Sequence, residues 1–288
     1  MKKLIKIGVI GGSGLYEIAG MTNIEEVRPK TPFGKPSDEI IIGELEGKNI
    51  AFLPRHGRGH HISPTEIPAR ANIYALKSLG VEWIISVNAV GSLKEGIHPL
   101  DIVIPDQLID RTKSRVNSFF GDGLVAHVTF AEPFCPVLSN ILYQAALDVG
   151  ANVHQEGTYI VMEGPLFSTK AESNLYRSWG ASIIGMTALP EAKLAREAEI
   201  CYATLACITD YDTWHETEDS VTIDMALANL LRNADTAKKI IGLVAARMPE
   251  ERECGCGEAL KNAIITAPEK IPERMKKDLD LLIGKYIK

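Results

Sequence analysis

No apolar run in this 288-residue chain approaches the roughly 20 residues that a membrane-spanning helix needs. The short apolar run after Lys6 is interrupted by glycine and lacks an A-x-A cleavage pattern, so it predicts a first strand and not a signal peptide. The chain also lacks an excess of basic residues, and its net charge is −6. Binding to nucleic acid or to membrane surfaces needs such an excess to meet phosphate groups. The sequence therefore predicts a cytoplasmic protein that binds neither nucleic acid nor membranes.

The sequence shows no flexible linker, internal repeat or low-complexity tract. Hydrophobic residues make up 45% of it and charged residues 24%, as in ordinary globular proteins. Predicted strands and helices alternate along the chain, which favours an α/β fold. We therefore predict a single domain over residues 1–288, in which a mixed, twisted β-sheet is flanked by helices, with a helical C-terminal region at about 222–288.

Hydrophobic periodicity, together with glycine and proline at the boundaries, predicts the individual elements. Helices are predicted at 68–79, 136–149, 169–179, 190–198 and 222–248. Strands are predicted at 4–10, 39–45, 50–53, 83–87, 102–108, 159–163, 183–186 and 202–209. Several strands end in small or polar residues, namely Gly11, Asn88, Thr187 and Thr209. Because ligand sites in open α/β sheets gather at the carboxyl ends of strands, these residues predict a site.

A glycine-rich turn at residues 11–14 follows the first predicted strand. It is not a dinucleotide fingerprint, because Glu17 stands where the third glycine would fall. It is not a P-loop either, because no Gly-Lys-Ser/Thr follows. Its backbone N–H groups and the Ser13 hydroxyl suit a small anion. An ordinary tight turn has the same composition.

A basic loop at residues 54–61 follows another predicted strand. Arg55 can hold an oxyanion through two parallel hydrogen bonds, and His56 can add a further donor. The alternatives are a solvated basic loop and a zinc site. Zinc needs three or four convergent ligands. Because the adjacent His60 and His61 come without Cys-x-x-Cys or His-Glu-x-x-His, no metal is expected here.

Two carboxylates, Asp210 and Asp212, follow a predicted buried strand. A single acidic residue there is usually a surface turn residue, but two at i and i+2 favour a functional pair. A carboxyl group in an apolar pocket tends to keep its proton and can donate it to a leaving nitrogen as a general acid. The turn at 163–168 presents Phe167, which can pack in the core or stack on a planar base. Met186 is expected to pack in the core.

Five cysteines are present, and buried or unpaired thiols are the ordinary interpretation in a reducing cytosol. Cys254 and Cys256 are separated by one residue, which is too few for the usual zinc-knuckle spacing. This pair favours a disulfide or redox pair.

These motifs, in this order, resemble the purine nucleoside phosphorylases, and most closely their methylthioadenosine phosphorylase branch. The resemblance covers nearly the whole chain and is carried by residues 8–14, 31–37, 55–57, 132–135, 163–168 and 209–212. It implies phosphorolysis of S-methyl-5′-thioadenosine to adenine and S-methyl-5-thio-α-D-ribose 1-phosphate, in methionine and purine salvage. It implies no cofactor, since inorganic phosphate is a co-substrate. It implies a homotrimer or a homohexamer built as a dimer of trimers, and Cys-Gly-Cys resembles the hexameric, disulfide-bearing archaeal members.

The resemblance also implies residue roles. The phosphate site would consist of Ser13, Arg55, His56, Asn88, Ala89 and Thr187. The nucleoside site would consist of Met186 against the ribose, Phe167 on the purine, His127 from a neighbouring subunit at the 5′ end, and Asp210, Tyr211 and Asp212. The catalytic residues would be Asp210 and Asp212, at the N7 and 6-amino edge of the base. The positions that tune selectivity would be Ser168 and Ile223.

Adenine leaves poorly as an anion, so a proton from Asp210 at N7 would assist its departure. The two carboxylates therefore predict a preference for 6-aminopurines. Three alternatives remain open: a phosphorylase for methylthioinosine, inosine, adenosine or 5′-deoxyadenosine; a nucleoside hydrolase; and a non-catalytic nucleotide-binding module. The basic loop argues against the hydrolase, because water needs no anion site.

Overall fold

The computed structural model describes residues 5–12, 14–15, 20–215 and 223–287, and the backbone alone for 223–227. Eleven strands within these ranges form one sheet: β1 (Ile7–Gly11), β2 (Thr22–Val27), β3 (Ile40–Leu45), β4 (Lys48–Pro54), β5 (Trp83–Ser92), β6 (Ile102–Ile104), β7 (Gln107–Arg111), β8 (Val153–Gln155), β9 (Thr158–Met162), β10 (Ile183–Gly185) and β11 (Cys201–Tyr211). The helices of the same ranges are α1 (Ala69–Ser78), α2 (Pro136–Asp148), α3 (Lys170–Ser178), α4 (Glu191–Glu197), α5 (Ile223–Arg247), α6 (Glu273–Asp278) and α7 (Asp280–Ile283). Short 3-10 helices cover Gly255–Glu258 and Pro268–Lys270.

The predicted α/β fold with a mixed sheet is confirmed. β1 pairs in parallel with β4 and β5, whereas β3 pairs antiparallel with β2 and β4. The five predicted helices correspond to α1 to α5, whose observed bounds all lie within the predicted ranges. Thr169, for example, is the N-cap of α3 and forms a capping box with Glu172.

The strand prediction is wrong in two places and incomplete in two. β5 continues to Ser92, five residues beyond its predicted end, so Asn88 lies inside the strand and does not end it. The strand predicted at 102–108 is two strands, β6 and β7, because Pro105 has no N–H for a sheet ladder. β6 pairs with β11 and β8, whereas β7 pairs with β9. The sequence analysis did not include β2, whose residues are mostly exposed and show no apolar alternation, or the three-residue β8.

β5 is at the centre of the sheet. Its first half lies between β1 and β11, both parallel to it, and at Gly91 and Ser92 it pairs antiparallel with β10. Because β4, β1, β5 and β11 are parallel neighbours in that order, their carboxyl ends lie side by side. The sheet thus brings the predicted glycine turn, basic loop and carboxylates to one edge.

Helices cover both faces of β11, because successive side chains of a strand point to opposite sides. Cys201, Ala203 and Leu205 pack in one apolar cluster with residues of α2 and α5. Tyr202 and Ala206 pack in the other, with residues of α1 and α4. Among the described residues, no helix combines the length and apolarity that a membrane crossing would need.

Candidate active site

A cavity of about 580 Å³ opens at the carboxyl ends of β1, β4, β5 and β11. Its lining includes the ends of β9 and β10, and Leu230, Asn233 and Ala234 of α5. The predicted site residues that the cavity brings together are Arg55, His56, Asn88, Ala89, Phe167, Met186, Thr187, Asp210 and Asp212. One cavity therefore joins the basic loop to the carboxylate pair.

A β-bulge lets Thr209 and Asp210 both face the cavity. Ile208 faces Val90 in the register of β11 with β5, but Asp210 faces Gly91, so Thr209 is an extra residue. Strict alternation would put Thr209 and Asp210 on opposite faces, yet both line the cavity. A bulge of this kind re-aims side chains next to a site.

Helix α5 holds this bulge through two asparagines. The side-chain amide of Asn229 donates to the Thr209 carbonyl at 2.8 Å, and that of Asn233 donates to the Ile208 carbonyl at 2.8 Å. Residues four apart lie on one face of a helix. The carbonyls at the irregular point of the ladder are thus satisfied by α5.

The carboxylates receive hydrogen bonds from hydroxyl groups. Ser168, which is buried, donates to Oδ2 of Asp212 at 2.6 Å, and Thr209 donates to Oδ2 of Asp210 at 2.6 Å. Asp212 is only 7% exposed, so its carboxylate has little water around it and depends on Ser168. Ser168 therefore acts on the cavity through Asp212.

Arg55 is 2% exposed and is paired with Glu191, which is 1% exposed. Nε donates to Oε1 at 2.5 Å and Nη2 donates to Oε2 at 3.1 Å. Nη1 donates to the carbonyl of Val87, and Nη2 also lies within hydrogen-bond distance of the Ile10 carbonyl and the Ser86 hydroxyl. Burial alone would lower the pKa of Arg55, but the Glu191 carboxylate raises it above its ordinary value. The two parallel hydrogen bonds expected to hold an oxyanion are therefore made to Glu191, and Arg55 also ties together β1 and β5.

His56 is also buried, with Nδ1 2.8 Å from the Ile62 carbonyl. Because a carbonyl only accepts, Nδ1 carries the proton. Burial and the charge of Arg55 lower the pKa of His56 to about 4, so the ring is neutral near pH 7. Its Nε2 is then an acceptor, suited to the P–OH of a monoprotonated phosphate, where the sequence predicts a further donor.

Asn88 and Thr187 line the same end of the cavity and are hydrogen-bonded to each other, with Nδ2 of Asn88 donating to Oγ1 of Thr187. Oδ1 of Asn88 accepts from Ser86 at 2.9 Å. Ser86 also contacts Arg55 and Glu191, so the polar groups of this end form one network. Such a network is oriented before any anion arrives.

Several predicted site residues lie elsewhere. Tyr211 is buried, and its ring stacks on His215 with centroids 4.4 Å apart. It is not among the described residues that line the cavity. His127 is exposed outside the cavity, and its N–H donates to the Ala263 carbonyl. Ser13 lies outside the described residues, and Ile223 begins α5 without a described side chain.

The sequence analysis missed two buried charges that shape the cavity. In the sequence, Glu191 looks like an ordinary acidic residue at a helix N-terminus, and only its apolar neighbours indicate that it is buried. Arg115, whose side chain is 2% exposed, donates to the carbonyls of Met186, Leu189, Met162 and Glu163. Arg115 thereby holds the two segments that carry Phe167 and Met186.

Comparisons with known proteins agree with this geometry. The model of the Phosphorylase superfamily matches residues 6–246. S-methyl-5′-thioadenosine phosphorylase of Thermosynechococcus vestitus is 56% identical over 286 residues, covering 98% of this chain and 99% of its own length. The enzyme of that name from Geobacter sulfurreducens is 58% identical over 282 residues, with coverage of 98% and 99%.

Solved structures are similar as well. A methylthioadenosine phosphorylase from an antarctic soil metagenomic library has a TM-score of 0.93 at 51% identity, covering 98% of this chain and 99% of its own. Methylthioadenosine phosphorylase from Schistosoma mansoni, in complex with adenine, has a TM-score of 0.81 at 37% identity, with coverage of 89% and 96%.

Proposed function

The chain belongs to the phosphorylase superfamily, in its methylthioadenosine phosphorylase branch, and we propose that it cleaves S-methyl-5′-thioadenosine with inorganic phosphate. The products are adenine and S-methyl-5-thio-α-D-ribose 1-phosphate, which makes the protein a pentosyltransferase of methionine and purine salvage. Phosphate is a co-substrate, and the reaction needs no cofactor. The observation that carries the proposal is the single cavity with an oriented polar network at one end and two carboxylates at the other.

Different residues of the cavity act on the phosphate and on the base. Phosphate binds near His56, Asn88, Ala89 and Thr187, and attacks C1′ as the C1′–N9 bond breaks. The bonding electron pair goes to the base, and Asp210 gives a proton to N7. Placing both reactants in one cavity can contribute on the order of 7–11 kcal/mol to lowering the barrier.

Recognition of the base falls to the other carboxylate. Asp212 accepts a hydrogen bond from the 6-amino group, and Ser168 fixes the Asp212 carboxylate. A 6-oxo purine places an acceptor against the Asp212 carboxylate, which then has no donor from the base, and this is costly in a buried site. Phe167, which is 74% exposed, stacks on the base when the substrate binds.

The proposal also covers the domain boundaries and the oligomeric state. We take residues 1–288 as one cytoplasmic phosphorylase domain that forms a homotrimer or a homohexamer. His127 is supplied by a neighbouring subunit to the 5′ end of the nucleoside. Its exposure outside the cavity supports this arrangement.

Adenine release from S-methyl-5′-thioadenosine, with and without phosphate, tests the function. We expect release only with phosphate, and little base release from inosine. Adenosine, methylthioinosine and 5′-deoxyadenosine complete the panel, because they vary positions 6 and 5′ separately. Release without phosphate would identify a hydrolase, and binding without release would identify a nucleotide-binding module.

Gly91 makes room for both carboxylates. A Cβ at this position would lie 3.1 Å from Oδ1 of Asp210 and 3.4 Å from Cβ of Asp212. We expect Gly91→Ala to lower kcat/KM by about tenfold to a hundredfold, because small displacements of catalytic groups are costly. The matched control is Gly96→Ala, since a Cβ there meets no atom within 4 Å. Equal kcat/KM in the two variants would contradict this role of Gly91.

A further inference from the structure

Four cysteines from three parts of the chain converge at the far end of β11 from the catalytic carboxylates. Cys201 begins β11, Cys135 is the N-cap of α2, and Cys254 and Cys256 lie at the 3-10 helix after α5. The first nine steps of β11, from residue 201 to 210, span about 30 Å at the usual rise of a strand. This cluster is therefore remote from the cavity.

The four sulfur atoms all lie within 4.8 Å of one another. Sγ of Cys254 is 3.3 Å from that of Cys201 and 3.7 Å from that of Cys135. All five cysteines are free thiols, so the structure contains none of the disulfides that the Cys-Gly-Cys motif favours. Both distances are well beyond the S–S bond of about 2.05 Å, and Cys254 is nearly as close to one sulfur as to the other, so the arrangement does not single out one disulfide partner.

A tetrahedral metal ion fits these spacings. With zinc–sulfur bonds of about 2.3 Å, the edges of a tetrahedron of thiolates are about 3.8 Å long. An iron–sulfur cluster would place several irons and sulfides between the thiolates and hold them farther apart. Tetrahedral sets of four sulfurs are typical of zinc.

We propose that Cys135, Cys201, Cys254 and Cys256 bind one zinc ion as a structural site. Four protein ligands leave no open coordination position, so the ion would not take part in catalysis. Each thiol gives up its proton on binding. Part of the resulting negative charge lies at the N-terminus of α2, where Cys135 is the N-cap and the helix dipole favours an anion.

The ion would join the C-terminal segment to β11, which begins at Cys201, and to α2, whose N-cap is Cys135. Residues 254–287 include α6 and α7, and three of the four ligands are buried. The spacing argument against zinc does not apply here, because only two of the ligands come from the Cys-Gly-Cys motif. The remaining ligands are 53 and 119 residues away from Cys254 along the chain.

Metal analysis of the tag-free protein, purified under reducing conditions, tests the proposal. We expect about one zinc per chain, as in other closed structural sites. Cobalt(II) in place of zinc should give the intense visible bands and the near-ultraviolet charge transfer of a tetrahedral tetrathiolate. These two measurements use the wild-type protein and do not depend on a variant that folds.

Two variants then assign the ligands. Cys256→Ser should lose the zinc and unfold at a lower temperature, whereas Cys207→Ser should keep the zinc, because Cys207 lies outside the cluster. Wild-type protein that contains no zinc would overturn the proposal, whether its thiols are free or joined in disulfides. Zinc retained in Cys256→Ser at the wild-type amount would overturn it too. Neither result depends on which nucleoside the cavity binds.

Discussion

Asp210→Asn is expected to lower kcat/KM for S-methyl-5′-thioadenosine by on the order of 10²–10⁴-fold, the usual contribution of a general acid. The amide keeps the size of the carboxyl group, and its oxygen can still accept the hydrogen bond that Thr209 makes to Asp210. What it loses is the proton that would go to N7 of the departing base. The unfolding temperature should therefore stay close to that of the wild type, and phosphate binding should be retained.

A substrate methylated at N7 separates this role from mere positioning. Its base already carries the positive charge that protonation would produce, so its departure needs no acid. We expect Asp210→Asn to cleave the N7-methylated nucleoside with only a small loss. Equal losses on the two substrates would show that Asp210 orients the base and donates no proton.

Asp212→Asn provides the matched comparison. The new amide oxygen can accept from Ser168 as the carboxylate does, but the amide nitrogen presents donors to the base. The ratio of activity on 6-oxo to 6-amino nucleosides should therefore rise in Asp212→Asn and stay unchanged in Asp210→Asn. Together the two variants distinguish the general acid, Asp210, from Asp212, which recognises the substituent at position 6 of the base.

Local sequence signals were sufficient for the elements that bring the site together. Pro68, Thr169 and Pro190 stand at the N-cap positions of α1, α3 and α4. Such boundary residues are visible in sequence because proline restricts its own backbone and Thr169 bonds the backbone of the next turn. The starts of β5 and β10 were predicted to the residue, but β5 continues to Ser92, five residues beyond its predicted end. Nine of the predicted site residues nevertheless line one cavity.

Contacts between distant segments were not visible in the sequence. The bulge at Thr209 depends on amides from α5, and the Glu191 carboxylate is recognisable as a partner only once Arg55 is known to be buried. The four cysteines likewise meet only through the sheet and its helices. In each case the signal is a pairing across the fold, which periodicity and spacing along the chain do not carry.

Glu191→Gln is expected to lower the free energy of unfolding by about 3–5 kcal/mol, the usual cost of leaving a buried charge without its partner. The guanidinium of Arg55 is 2% exposed, so water cannot replace the lost carboxylate. Denaturant unfolding measures the change. The control is Glu26→Gln, because Glu26 pairs with Arg58 where both side chains are more than 40% exposed. That variant should lose far less stability than Glu191→Gln, because solvent screens an exposed ion pair.

The double variant Arg55→Met, Glu191→Leu tests whether the pair serves stability or function. Replacing both charges of a buried pair by apolar groups is often neutral or stabilising, so much of the loss in Glu191→Gln should be recovered. The recovery should be incomplete, because Ser86 and Tyr202 also lose their contact with the Glu191 carboxylate. Catalysis should not recover, because the network that orients Asn88 at the phosphate end would lack its cation, and the KM for phosphate should rise.

A double variant as unstable as Glu191→Gln would mean that the charges themselves hold β1 to β5. A stable double variant with normal phosphate KM would mean that the pair is only structural, and that phosphate is held by His56, Asn88 and Thr187 without it.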